Sequence, residues 1–123
     1  MSCLFCDMEK MNYIGENDLA YAIFDKFPVN QGHALIIPKR HFESYFDMTE
    51  EELVSINRLI KEVKIQIDHK FNPDGYNIGV NIGETAGQTI FHLHFHLIPR
   101  YSGDVEKPIG GIRNFKESLV PYK

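Results

Sequence analysis

Three histidines, His92, His94 and His96, alternate with Leu93, Phe95 and Leu97 in the run from Phe91 to Pro99. A period of two belongs to a strand with two unlike faces, so the rings stand in a row, about 6.5–7 Å apart, opposite an apolar surface. Such rings can be satisfied structural groups. They can also hold a catalytic zinc with an open position, although no obvious carboxylate base accompanies them here. In a third reading one imidazole is itself the nucleophile, attacking phosphorus to give a phosphoramidate that water then cleaves. An unperturbed pKa of about 6.5 suits that role, leaving roughly three quarters of the ring neutral at pH 7. A histidine two positions along can then donate to phosphoryl oxygens or to the leaving group. Cys3-Leu4-Phe5-Cys6 is the second stretch with chemistry in it, either half of a metal site or two plain thiols.

The elements that must position these groups read as follows. Gly15-Glu16-Asn17-Asp18 is a polar turn, and a strand from Leu19 to Phe24 ends at Asp25. Pro28 and Gly32 punctuate the turn that follows. His33 to Ile37 is a second strand with His33 at its entrance, and Lys39-Arg40-His41 form its exit. Thr49 to Glu52 form a capping box, with Asp47 and Glu50 as an alternative start, for one long helix with an apolar stripe of Leu53, Ile56, Ile60, Val63 and Ile67. From Tyr76 to Ile82 the chain alternates, with Ile78, Val80 and Ile82 inward and Asn77, Gly79 and Asn81 on a polar face. The loop from Gly83 to Thr89 leads into the histidine strand without a G-x-G or G-K-[ST] phosphate signature. Beyond Arg100 glycines and prolines break the chain into a tail, where Ile109, Ile112, Phe115 and Leu119 imply docking.

A length of 123 residues, 43% hydrophobic and 24% charged, suits one soluble domain. No apolar run is long enough for a bilayer and no secretory signal is visible, so neither a membrane nor export is expected and the cytoplasm is. A net charge of −4 with scattered basic residues argues against a nucleic acid polymer as partner.

His92-Leu93-His94-Phe95-His96-Leu97-Ile98 resembles the histidine triad motif of the HIT superfamily, and the similarity covers about residues 3 to 101. Phe24-Asp25, the segment from His33 to His41, Asn81 and Gly87-Gln88-Thr89 fall at matching separations. The resemblance implies an α+β domain with a mainly antiparallel sheet of about five strands and one long helix, spanning residues 1–123 with 102–123 as a docked tail. It also implies a homodimer that hydrolyses or transfers nucleotidyl groups of a nucleoside phosphoramidate or dinucleoside polyphosphate, with a purine nucleotide or dinucleotide as substrate. On matching positions His94 is the nucleophile and His96 contacts the phosphate and leaving group. His33, Asn81, Gln88 and Thr89 line the phosphate region, Asp25 binds the ribose, and Phe5, Met8 and Phe24 form an apolar base cleft. The zinc-containing prokaryotic branch further implies a structural zinc on Cys3, Cys6, His41 and His92. Lys26, where the adenosine branch often has an apolar residue, departs from that pattern. The tail, through Arg100 or Arg113, is expected to shape the distal part of the substrate. Against this stand a metal-dependent hydrolase with zinc on the triad and a non-catalytic nucleotide-binding scaffold.

Overall fold

The structure, a computed structural model, describes residues 3–115, so Leu119 and the rest of the tail's end lie outside the described residues. The strands are β1 (Tyr13–Glu16), β2 (Ala20–Phe24), β3 (Ala34–Pro38), β4 (Gly75–Val80) and β5 (Phe95–Arg100). They form one sheet in the order β1-β2-β3-β5-β4 with every pairing antiparallel. With the helix α1 (Glu50–Phe71) this is the expected α+β architecture.

The capping box forms as read. Thr49 accepts from the Glu52 N–H at 3.1 Å, and the Glu52 carboxylate accepts from the Thr49 N–H at 2.9 Å. Glu52 also takes Arg40 Nε at 3.0 Å and Nη2 at 2.8 Å, which keeps its carboxylate below its ordinary pKa. This fork turns Glu52 into the protein and rotates Leu53, expected on the apolar stripe, outward to 41% exposure. Leu59 takes its place beside Ile56, Val63 and Ile67, while Ile60 is half-buried.

The helix lies over Ala20, Ala22, Ala34, Ile36, Leu93, Phe95 and Leu97, where small alanines let it approach the sheet. On the opposite face the N-terminal segment brings Phe5 against Tyr21, Ile23, Leu35 and Ile37. Both faces of β2 and β3 are therefore covered, which is why these strands are apolar throughout rather than alternating.

The sequence reading missed β1. Gly15, taken as part of a turn, is a strand residue at an irregular register, where a Cβ would stand 3.0 Å from Leu59 of the helix. Glycine is there for close approach, a requirement that leaves no local signal. The β4 register agrees with the expected faces, but the strand stops at Val80 and lies at the sheet edge, so Ile78 is 49% exposed. β5 begins only at Phe95; His92 and His94 lie in the segment that leads into it, bent at His92, where the Leu93 N–H donates to the Phe42 carbonyl at 2.7 Å. Ile109, Ile112 and Phe115 are exposed, so the expected burial of the tail's apolar residues is not met within the chain.

Candidate functional site

The turn before β3 closes tightly. Gly32 has φ of +86° and a Cβ there would meet Phe71 at 2.8 Å, so glycine is required. The turn returns on itself through the His33 N–H to the Asn30 carbonyl at 3.1 Å and aims the Val29 N–H at His33 Nδ1, 3.0 Å away. A backbone N–H can only donate, so His33 Nδ1 accepts and the proton of the neutral ring sits on Nε2. Burial pushes the His33 pKa down, against a smaller upward pull from Asp25, which agrees with a neutral ring.

His33 Nε2 lies 3.0 Å from His96 Nδ1. The donor is already assigned, so His96 Nδ1 accepts and its own proton is placed on Nε2 at the far edge of the ring. Burial, with His94 and His33 beside it, holds the His96 pKa down to about 4. His94 is arranged the opposite way. Its Nδ1 is 2.9 Å from the His92 carbonyl, which can only accept, so Nδ1 carries the proton and Nε2 the lone pair. The His94 and His96 ring centroids are 5.2 Å apart, so two neighbouring rings carry opposite tautomers.

His92 serves a different centre. Its Nε2 donates to the Pro38 carbonyl at 2.8 Å, which turns the Nδ1 lone pair toward Cys3 Sγ at 3.4 Å, Cys6 Sγ at 3.5 Å and His41 Nδ1 at 3.1 Å. Cys6 Sγ is 3.3 Å from His41 Nδ1. Zinc bonds of about 2.0–2.3 Å in a tetrahedron put ligand atoms about 3.3–3.8 Å apart, so these four groups fit the ion closely. The Cys6 N–H donates to Cys3 Sγ at 3.3 Å, a bond that favours a thiolate. Cys3 also pushes the Cys6 thiol above its ordinary pKa, a conflict between two sulfurs that a dication relieves. Asp25, His33 and His96 form another close group, but the proton on His33 Nε2 denies a cation that ligand atom. The triad rings do not share one centre, which removes the geometry needed for a zinc held by all three.

A cavity of about 950 Å³, within the usual range for small-ligand sites, opens beside His96. Of the expected site residues, Asp25, His33, Asn81 and His96 line it, and His94 adjoins it through His96. Asp25 Oδ1 accepts from the Phe27 N–H at 2.9 Å while Oδ2 lies 3.5 Å from His33 Nε2.

The other expected contacts are placed differently. Gln88 is buried with its amide spent on the Gly83 N–H and on the Glu43 and Ile90 carbonyls, so it holds the loop and does not line the cavity. Thr89 is exposed outside the lining, where Thr85 and Gly87 stand instead. Phe5 packs its ring on His94 at 5.0 Å and His92 at 5.9 Å. Met8 takes a bond from Asn12, and Phe24 packs on Phe71 on the helix side. None of these three lines the cavity; its apolar wall comes from Phe27, Val29, Val80, Ile98, Ile112 and Phe115. Arg100 is held by the Asp104 carboxylate at 2.8 and 2.9 Å and by Asn77 at 2.7 Å, so it is a strut of the tail rather than a substrate contact. The sequence reading missed Val29, whose side chain is unremarkable and whose backbone N–H does the work.

Comparison with known proteins agrees with this geometry. The family model described as HIT domain matches residues 8–103. An adenosine 5'-monophosphoramidase of Schizosaccharomyces pombe is 36% identical over 114 residues, covering 89% of this chain and 83% of that protein. The crystal structure of a HIT family protein from Bacillus anthracis aligns with a TM-score of 0.77 at 37% identity, covering 85% of this chain and 81% of the other. A Zn-bound histidine triad family protein from Mycobacterium smegmatis aligns with a TM-score of 0.74 at 33% identity, covering 84% and 78%. With the triad, the sheet and the match over most of its length in agreement, the chain belongs to the HIT domain family.

Proposed function

We propose that this protein is a nucleotidyl hydrolase or transferase that cleaves a nucleoside phosphoramidate or dinucleoside polyphosphate, of the purine class, through a covalent nucleotidyl-His94 intermediate. The observation that carries this reading is the pair of opposed tautomers on neighbouring rings, set by the His92 carbonyl on His94 Nδ1 and by His33 Nε2 on His96 Nδ1. His94 Nε2 forms a bond to the α-phosphorus as the bond to the leaving amine or phosphate oxygen breaks; the neutral His96 Nε2–H donates a hydrogen bond to the leaving atom, which takes its proton from solvent. The His94 ring becomes cationic in this step. Its Nδ1–H is already bonded to the His92 carbonyl, and that bond strengthens with the charge. Water then attacks phosphorus and gives up a proton to solvent, the bond from phosphorus to His94 Nε2 breaks, and nucleoside monophosphate leaves with neutral His94 restored. Asp25 on the cavity wall suits the ribose hydroxyls, and Asn81, Thr85 and Gly87 surround the phosphate end. The name of the Schizosaccharomyces pombe relative supports the phosphoramidate arm.

Cys3, Cys6, His41 and His92 would hold a structural zinc, which when bound supplies a cross-link between the N-terminus and the catalytic strand and no open coordination position. Paired reduced thiols suit the cytoplasm. Among the described residues no helix is long and apolar enough to cross a membrane. A homodimer through β4 is supported by its position at the sheet edge and by exposed Ile78, Ile112 and Phe115 nearby. The Arg100–Asp104 pair, which anchors the start of the segment after β5, supports reading residues 102–123 as a tail of a single domain.

The test is intact mass after an early quench with an adenylyl phosphoramidate or a diadenosine polyphosphate. An adduct of one nucleoside monophosphate, absent from His94→Ala, is expected; turnover without any adduct, or an adduct that survives in His94→Ala, overturns the mechanism.

A further inference from the structure

The proton on His96 Nε2 is set by a chain of bonds that begins outside the triad. Asn30 sits in the turn before β3, and its side-chain Nδ2 donates to the Pro99 carbonyl at 3.0 Å and to Asp104 Oδ2 at 2.7 Å. Both partners are acceptors, so the amide orientation is settled. Asp104 is fixed in turn by Arg100 and by the Tyr101 N–H at 3.1 Å. Pro99 and Arg100 lie on β5, the strand that carries His96. Asn30 therefore ties the turn to the strand it must serve. Its neighbour Val29 is 67% exposed and belongs to neither core cluster.

We infer that Asn30, braced by Asp104, is a positioning residue for the His96 hydrogen-bond donor: it fixes the Val29 N–H on His33 Nδ1 and so helps decide which nitrogen of His96 carries the proton. Without that donor, neutral His33 can place its proton on Nδ1. Nε2 then becomes an acceptor, His96 must donate from Nδ1, and the His96 Nε2 edge loses its proton. The chain of two rings has two opposite settings, and the Val29 N–H on one side of His33, with the Asp25 carboxylate 3.5 Å from Nε2 on the other, selects between them. The functional consequence rests on the proposed role of His96, whereas the tautomer itself does not.

Nitrogen-15 spectra of histidine-labelled protein, recorded without substrate, read the tautomers directly. Wild type is expected to show the Nε2–H form at His33 and His96 and the Nδ1–H form at His94. Asn30→Ala is expected to move His33 and His96 together toward a mixture with His94 unchanged, and Asp104→Asn, which keeps size and one acceptor oxygen, to shift them in the same direction by less. In turnover, Asn30→Ala should lower kcat about tenfold for an amine leaving group that must be protonated, with KM little changed. A nucleoside monophosphate ester of p-nitrophenol, whose leaving group needs no proton, should lose less than about twofold. Folded variants that keep the wild-type tautomers, or a wild type with Nδ1–H at His96, overturn the inference. Tautomer shifts in a protein that forms no nucleotidyl adduct would instead overturn the proposed function and leave the positioning intact.

Discussion

Two histidine clusters lie within a few residues of one another and do opposite things with the same side chain. Around His92, ring nitrogens and sulfurs converge, and the His92 Nδ1 lone pair faces them because its Nε2–H donates to the Pro38 carbonyl on the far side of the ring. Around His94 and His96 the neighbours instead alternate lone pair and proton, giving a relay with direction. The first arrangement is fitted to hold a cation and the second to present a lone pair next to a hydrogen-bond donor. What separates them is the partner of the other nitrogen in each ring, which the residue type does not specify. Phe5, carried between the two cysteines, touches both clusters.

The contrast breaks most sharply at His94. His94→Ala should lower kcat at least about 10²-fold while zinc content stays near one per chain, measured by turnover and by metal analysis of the same sample. Equal loss of zinc would merge the clusters into one unit. Cys6→Ser should reverse the pattern, with zinc content falling well below one per chain and a lower thermal midpoint, while turnover per folded molecule falls about tenfold or less.

Acid tests the relay alone. The unfolded His96 side chain gains a proton near pH 6.5, but the folded one resists until about 4, so its contribution to stability is complete above about 6.5 and is lost as pH falls toward 4. The urea midpoint of wild type should drop faster over this window than that of His96→Gln, and the comparison cancels the acid sensitivity of the metal ligands. Parallel profiles would mean that His96 is not held neutral by the fold. The smallest expected effect is at the bridge: Phe5→Leu keeps an apolar side chain but loses the ring contacts, worth about 0.5–1.5 kcal/mol, and should lower kcat two- to tenfold with zinc retained.

Much of this was legible along the chain. The alternation of Leu93, Phe95 and Leu97 placed the core face of the histidine run, and all three are buried under the helix. Thr49 and Glu52 announced the helix start because a capping box is a local interaction. Leu53 was misplaced because the long-range pair between Arg40 and Glu52 sets the roll of the first turn. Gln88, Phe5, Met8 and Phe24 were expected in the binding site by position, and the fold spends each on the structure around it.

By itself the sequence determined the periodicities, the caps and the presence of imidazoles and thiols in sufficient number, because those depend on neighbours a few residues apart. Tertiary structure decided which nitrogen of each imidazole holds a proton, which residues wall the cavity, and that Cys3 and Cys6 meet His41 and His92. A ring nitrogen's state follows from the group across from it, here Val29, His33 or the carbonyls of Pro38 and His92; His33 and Pro38 arrive from distant parts of the chain, and even the nearby Val29 and His92 are aimed only by the folded turn and strand approach.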